Sequence, residues 1–248
     1  ENAIGLQAVD GLQTSDYLKD TAVRHIEGDI SIDEVKVLID SYYRSKTLRP
    51  SDDSDTEEAD KVAANITRTL NENSFAYSVT GFTSIHRRLF EGVFKFAGRI
   101  RDYDITKKEW VLRETGIVRQ ADLQRALEYD LELEKNLSYK GLSSEDVVVH
   151  IATFVANLWQ IHPFGEGNTE HRSIPNQVSK KHRFRVNNEL FAEYSWYFRN
   201  ALVRANYRNL RKEIEPDMSF LILFFRNFLL GAYNELENRE LIVNPSLE

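Results

Sequence analysis

The chemistry in this chain gathers in seven residues, His162-Pro163-Phe164-Gly165-Glu166-Gly167-Asn168. Each type suits the handling of a polyphosphate. Histidine is the side chain whose ordinary pKa best serves proton abstraction near neutrality. Glycines let backbone N–H groups turn toward an anion and form a nest for phosphate oxygens. A carboxylate is a hard oxygen ligand for Mg²⁺, which commonly completes its shell with substrate phosphates. A plain loop with a solvent-facing histidine and a capping asparagine accounts for the same residue types.

The loop needs a rigid base, and the sequence supplies one. Ser144 to Ile161 reads as a helix whose Val147, Ile151, Phe154, Val155 and Leu158 make an apolar stripe that a surface helix would not need. Upstream, Asp16 to His25 reads as a short helix ending at Gly28. A second helix follows, opened by a Ser31/Glu34 capping box and carrying Val35, Leu38, Ile39 and Tyr42 on one face. Leu48 to Asp55, with Pro50, reads as a loop. Glu57 to Asn73, Thr83 to Phe96, Ala121 to Leu137, Asn188 to Arg208 and Asp217 to Arg239 read as further helices. The one β element falls between Asp102 and Val118: Trp110, Val111 and Leu112, a Glu114-Thr115-Gly116 turn, then Ile117 and Val118. The expected fold is all-α with a small β-hairpin. It divides into an N-terminal helical hairpin over 1–50 and a larger unit over 51–248.

Composition narrows the function classes. With 32 Lys+Arg against 39 Asp+Glu, the net charge of −7 gives no global field for nucleic acid or an anionic membrane, though a locally positive nucleotide site remains compatible. The absence of cysteine excludes a thiol nucleophile and a disulfide framework and suits a cytoplasmic setting. Leu221 to Leu230 is the most apolar stretch, but Arg226 and Asn227 interrupt it, so it reads as a buried helix. Self-association is left open.

The loop resembles the signature of the Fic family, H-P-F-x-(D/E)-G-N-G-R-x-x-R, over its first seven positions. Two other strings are similar to that family: Ile85-His86-Arg87-Arg88-Leu89-Phe90 followed by Phe94 to Arg101, and Ser195-Trp196-Tyr197-Phe198-Arg199-Asn200-Ala201-Leu202. The resemblance implies a Fic-fold helical bundle of the bacterial type. It also implies a protein adenylyltransferase that moves AMP from Mg-ATP to a Ser, Thr or Tyr hydroxyl of a target protein. In that reading His162 takes the proton from the hydroxyl, and Glu166 holds Mg²⁺ against the α- and β-phosphates. Gly165, Gly167 and Asn168 line the anion hole, with Thr169 and Arg172 next along the phosphate path. Phe164 points into the core. The hairpin residues Trp110, Val111 and Leu112 form a flap whose edge receives the target by strand addition.

After Asn168 the resemblance fails. The family pattern asks for Arg where Glu170 stands and for a second Arg at Ser173. A like charge about 4 Å from a phosphate costs on the order of 4 kcal/mol at an effective dielectric near 20. Arg172 substitutes only if the helix register shifts. The segment 170–185 also carries Pro175 and the basic run Lys180-Lys181-His182-Arg183, with too few apolar residues for a core helix. In one of its codings, the string His171 to Ser179, shifted by one base, reads Thr-Ala-Val-Phe-Leu-Ile-Lys-Tyr-Leu, an amphipathic helix. A frameshift after Thr169 and a lineage-specific loop both account for it. Finally, Arg24-His25-Ile26-Glu27-Gly28 resembles the family's inhibitory helix, (S/T)-x-x-x-E-(G/N), with Val23 in place of the Ser/Thr. Glu27 is then a candidate brake on the γ-phosphate site. The alternative to an enzyme is a degenerate Fic scaffold that binds protein partners without turnover.

Overall fold

Capping chemistry sets the first two helices. In the computed structural model, which describes residues 12–45, 53–70, 76–109, 114–168 and 189–243, α1 (Asp16–Ile26) opens at Ser15. Its hydroxyl accepts from the Leu18 N–H at 3.0 Å. The helix closes beside Gly28 at φ +85°, a left-handed conformation open to a residue without Cβ. The capping box of α2 (Ile32–Ser45) forms as expected: the Ser31 N–H donates to the Glu34 carboxylate at 2.7 Å, and the Glu34 N–H donates back to the Ser31 hydroxyl at 3.2 Å.

This hairpin lies on α3 (Asp53–Leu70), and Leu18, Val35, Ile39 and Tyr43 join one core with Val62, Ala63 and Ile66. Buried Asp60 ties the three helices together. Its carboxylate accepts from the Ser15 N–H (2.8 Å), the Ser15 hydroxyl (2.5 Å) and the Tyr43 hydroxyl (2.7 Å). Three donors offset the desolvation of one buried charge.

α4 (Val79–Leu89) is shorter than its periodicity predicts. The sequence carries helical spacing to Phe96, but Asn65 on α3 donates its side-chain amide to the Leu89 carbonyl at 3.0 Å and the Glu91 carbonyl at 3.3 Å, which ends the helix. The chain then turns so that Phe90, Phe94 and Phe96 stack in series, with ring centres 5.0 Å apart at each step.

The hairpin exists, with a different turn from the one expected. β1 (Ile105–Glu109) pairs antiparallel with β2 (Glu114–Val118), Ile105 opposite Val118 and Lys107 opposite Gly116. Glu114, Thr115 and Gly116 therefore belong to a strand, and the connection spans 110–113. Pairing five residues on each limb, rich in β-branched types, outweighs the turn preference of one glycine. Trp110, Val111 and Leu112 lie outside the described residues.

α5 (Leu123–Asn136) leads to α6 (Ser144–Ile161), which packs against α5, α8 (Ser195–Asn206) and α9 (Ser219–Leu230). Val147, Val148, Ile151, Ala152 and Phe154 are buried along α6. A short α7 (Glu189–Glu193) precedes α8, the break falling at Tyr194 rather than the chain running as one helix to Arg208. Phe191, Phe198, Phe224, Phe225 and Phe228 form a ring cluster under α6. Each such ring taken from water contributes on the order of 2–3 kcal/mol. The predicted helix to Arg239 stops at Leu230. Buried Asn227 accepts from the Asn234 N–H (2.9 Å) and donates to its carbonyl (2.8 Å), folding the chain back into irregular structure. No helix among the described residues is long and apolar enough to cross a membrane.

Candidate functional site

The capping box at Ser143 and Asp146 starts α6, and its C-terminal end delivers His162. That residue sits at φ 45°, ψ 60°, a left-handed conformation uncommon outside glycine and worth about 1–2 kcal/mol of strain. His162 is 5% exposed. Its Nδ1 lies 3.3 Å from the Gln160 carbonyl and its ring meets Trp159 edge-on at 4.4 Å. A carbonyl can only accept, so the Nδ1 contact requires the proton there and leaves Nε2 as a lone pair. Burial pushes the imidazole down to about 4, helped by the Lys107 ammonium and, less strongly, by Arg101 and Arg199. At neutral pH it is an uncharged imidazole whose protonation three nearby cations oppose.

The rest of the loop is built on the core. Phe164 is fully buried, stacked 3.7 Å from the His86 ring and 5.8 Å from Phe82. Asn168 closes the turn on itself. Its side-chain oxygen accepts from the Phe164 N–H (2.9 Å) and its amide donates to the Phe164 carbonyl (2.8 Å). Gly167 takes φ +73°, and a Cβ there would lie 2.3 Å from the Phe90 ring and 3.1 Å from His86 Nε2. A Cβ on Gly165 would meet the Tyr103 hydroxyl at 2.3 Å. Gly167 is required by its backbone conformation as well as by close approach, whereas at Gly165 the Tyr103 hydroxyl alone would have to shift.

His86 wedges the loop from below. The Gly98 N–H donates to its Nδ1 at 2.8 Å, so Nε2 carries the proton and donates to the Glu166 carbonyl at 3.0 Å. Fully buried, it is pushed down to about 4 by desolvation and stays neutral. From the other side, the Arg101 N–H donates to the Pro163 carbonyl (2.9 Å) and its Nε to the His162 carbonyl (2.8 Å).

The Glu166 side chain turns outward, 66% exposed, with the Lys107 ammonium of β1 at 4.0 Å. Among the described residues no three His, Asp or Glu side chains converge as a metal site.

The structure thus brings together His162, Phe164, Gly165, Glu166, Gly167 and Asn168. Thr169 and Arg172 lie outside the described residues. Glu27 is exposed at the end of α1, and its carboxylate makes no hydrogen bond or ion pair among the described residues. Sequence reasoning gave no role to His86, Arg101 or Lys107. The first two stand inside the strings that resemble the family, but their partners are 80 and 61 residues away.

Residues 76–170 match the family model described as the Fic/DOC family. That segment is similar to a Fic domain. The matched segment runs from just before α4 to two residues past Asn168, the point where the signature breaks down. No curated protein matches the chain. Among solved structures, the N-terminal Fic domain of a VirB-translocated effector from Bartonella sp. AR 15-3 superposes with TM-score 0.60 at 18% identity, covering 81% of this chain and 89% of that one. The Fic domain of Bep8 from Bartonella sp. 1-1C gives TM-score 0.59 at 18% identity, over 74% and 88%. A Fic domain from a Bartonella quintana effector, solved with ADP bound, gives 0.58 at 17% identity, over 73% and 87%. At such identity the likeness establishes the all-α Fic fold.

Proposed function

We propose that this Fic domain transfers AMP from Mg-ATP to a hydroxyl of a target protein. The observation that carries the reading is the state of His162: a buried, neutral imidazole with its proton on Nδ1 and its Nε2 lone pair uncommitted, set among Lys107, Arg101 and Arg199. That local field favours a polyanion despite the acidic chain as a whole. The ADP held by the Bartonella quintana neighbour supports a nucleotide as the ligand class.

In the proposed reaction, His162 Nε2 accepts the hydroxyl proton as the oxygen forms a bond to the α-phosphorus, and the bond from that phosphorus to the bridging oxygen breaks to release pyrophosphate. The backbone of Gly165 to Asn168 steadies the charge that develops on the phosphate oxygens. Glu166 would hold Mg²⁺, which supplies charge neutralisation on the phosphates when bound. The hairpin presents the target chain beside the loop, and Glu27 restrains the activity.

Incubation with ATP labelled in the α-phosphate and Mg²⁺, wild type beside His162→Ala, is the test. Label that disappears with His162→Ala is expected. Competition by other nucleotides checks the donor. The second reading, a binding scaffold without turnover, is favoured by Glu170 and Ser173 in the places where the family pattern asks for arginines. It predicts neither label nor ATP binding. The gene sequence decides the origin of the segment 170–185: codons that cannot be read in the shifted frame leave a lineage-specific loop.

A further inference from the structure

Arg101 is 5% exposed, and every nitrogen of its guanidinium is committed to main chain. Nε donates to the His162 carbonyl at 2.8 Å, one terminal nitrogen to the Tyr103 carbonyl, and the other to the Arg119 carbonyl at 2.9 Å. Its own N–H holds the Pro163 carbonyl at 2.9 Å. These acceptors belong to three segments: the loop after α6, the entry to β1 and the exit from β2. A buried cation is usually matched to a carboxylate. Here none of the hydrogen bonds goes to one, so the group is spent on geometry. Only a planar fork with five donors reaches three diverging carbonyls at once.

We propose that Arg101 is a positioning residue that clamps the root of the β1–β2 hairpin to the loop and holds His162 in its left-handed conformation. The inference rests on the reading of His162 as the base. Strained backbone persists only where its surroundings over-determine it, and the carbonyl of the strained residue is the one that Nε grips. The residue's N–H fixes the next carbonyl, so two consecutive peptide units are held. The same cation bonds just outside each strand. A second, exposed lace joins the hairpin root: the Gln120 N–H donates to the Asp104 carboxylate at 2.8 Å. Arg101 differs from that lace in reaching the loop. It makes hairpin and base one mechanical unit, so a chain laid on the hairpin is registered against the imidazole.

The test uses Arg101→Lys and Arg101→Gln in the whole chain, with hydrogen exchange and transfer kinetics. Amides of β1 and β2 are expected to exchange on the order of tenfold faster while those of α8 and α9 keep their rates. Lysine keeps the charge but cannot span three acceptors, so it should fail to rescue. The kcat for His162-dependent label should fall by roughly 10- to 100-fold with KM for ATP nearly constant, as expected when a reacting group is misplaced. Unchanged hairpin exchange, or exchange raised equally everywhere, overturns the clamp. Faster hairpin exchange at full kcat overturns its link to His162. If both variants fail to fold, the wild type still decides. The Arg101 Nε–H should be a slowly exchanging proton coupled across its hydrogen bond to the His162 carbonyl, and fast exchange there sinks the proposal. Absence of His162-dependent label in the wild type would defeat the functional reading alone, leaving the exchange and coupling measurements to judge the clamp.

Discussion

Two buried histidines meet at the loop, His162 as its first residue and His86 packed against it, and they differ in what their surroundings leave undone. On the floor, His86 has both ring nitrogens engaged, Nδ1 accepting from Gly98 and Nε2–H donating to Glu166. At the rim, His162 carries its proton on the other nitrogen, held by a longer contact to Gln160, and Nε2 makes no hydrogen bond among the described residues. Both are pushed down to about 4, chiefly by desolvation. The shift therefore cannot tell structure from chemistry. The hydrogen-bond inventory separates them: His86 is fully satisfied, whereas His162 keeps a spare lone pair, which the proposed reaction uses.

Substitution separates the two most sharply. His162→Ala should keep the fold and lower transfer by about 10²–10⁴-fold, the usual span for a lost general base, read from label incorporation. His86→Ala should instead lower the unfolding free energy by about 3–5 kcal/mol in urea titration, through a cavity under Phe164 and an orphaned Glu166 carbonyl. Equal stability losses from the two changes would erase the distinction.

Acid should affect both histidines in the same direction. Their folded-state pKa values, about 4, lie below the ordinary 6.5. Between those values the unfolded chain binds more protons than the native one, so stability rises with pH and is lost as pH falls from about 6.5 toward 4. The combined loss should be on the order of a few kcal/mol. Urea midpoints that stay flat over that interval would show that the rings are not shielded from water.

Gly167→Ala sharpens the comparison from the floor side. The added Cβ meets the Phe90 ring, and the φ of +73° disfavours any other residue. A loss of about 1–3 kcal/mol is expected in thermal unfolding, with weakened nucleotide binding. The smallest effect is assigned to Glu27→Gly, which should raise self-labelling of the wild-type background with no shift in melting temperature. Unchanged labelling in a protein that binds ATP removes the brake.

Much of this was legible locally. The capping box at Ser31, the buried stripe on α6 and the histidine-glycine loop all depend on residues within a few positions of one another. So does the existence of a hairpin, though not its turn. Local spacing failed at Phe90 to Phe96, where a side chain from another helix stops α4. It failed again after Leu230, where Asn227 turns the chain back.

The sequence by itself determined which residues could do chemistry and which helix would carry them, because helical period, capping and glycine freedom act over a few residues. Only the tertiary structure decided that both ring nitrogens of His86 are engaged while Nε2 of His162 makes no hydrogen bond among the described residues, and that Arg101 bonds to both the loop and the hairpin root. Those outcomes depend on which donors and acceptors meet across 61 to 80 residues of chain. Burial raises the cost of leaving any of them unpaired, so the packed interior selects the tautomers, the strained backbone and the partners.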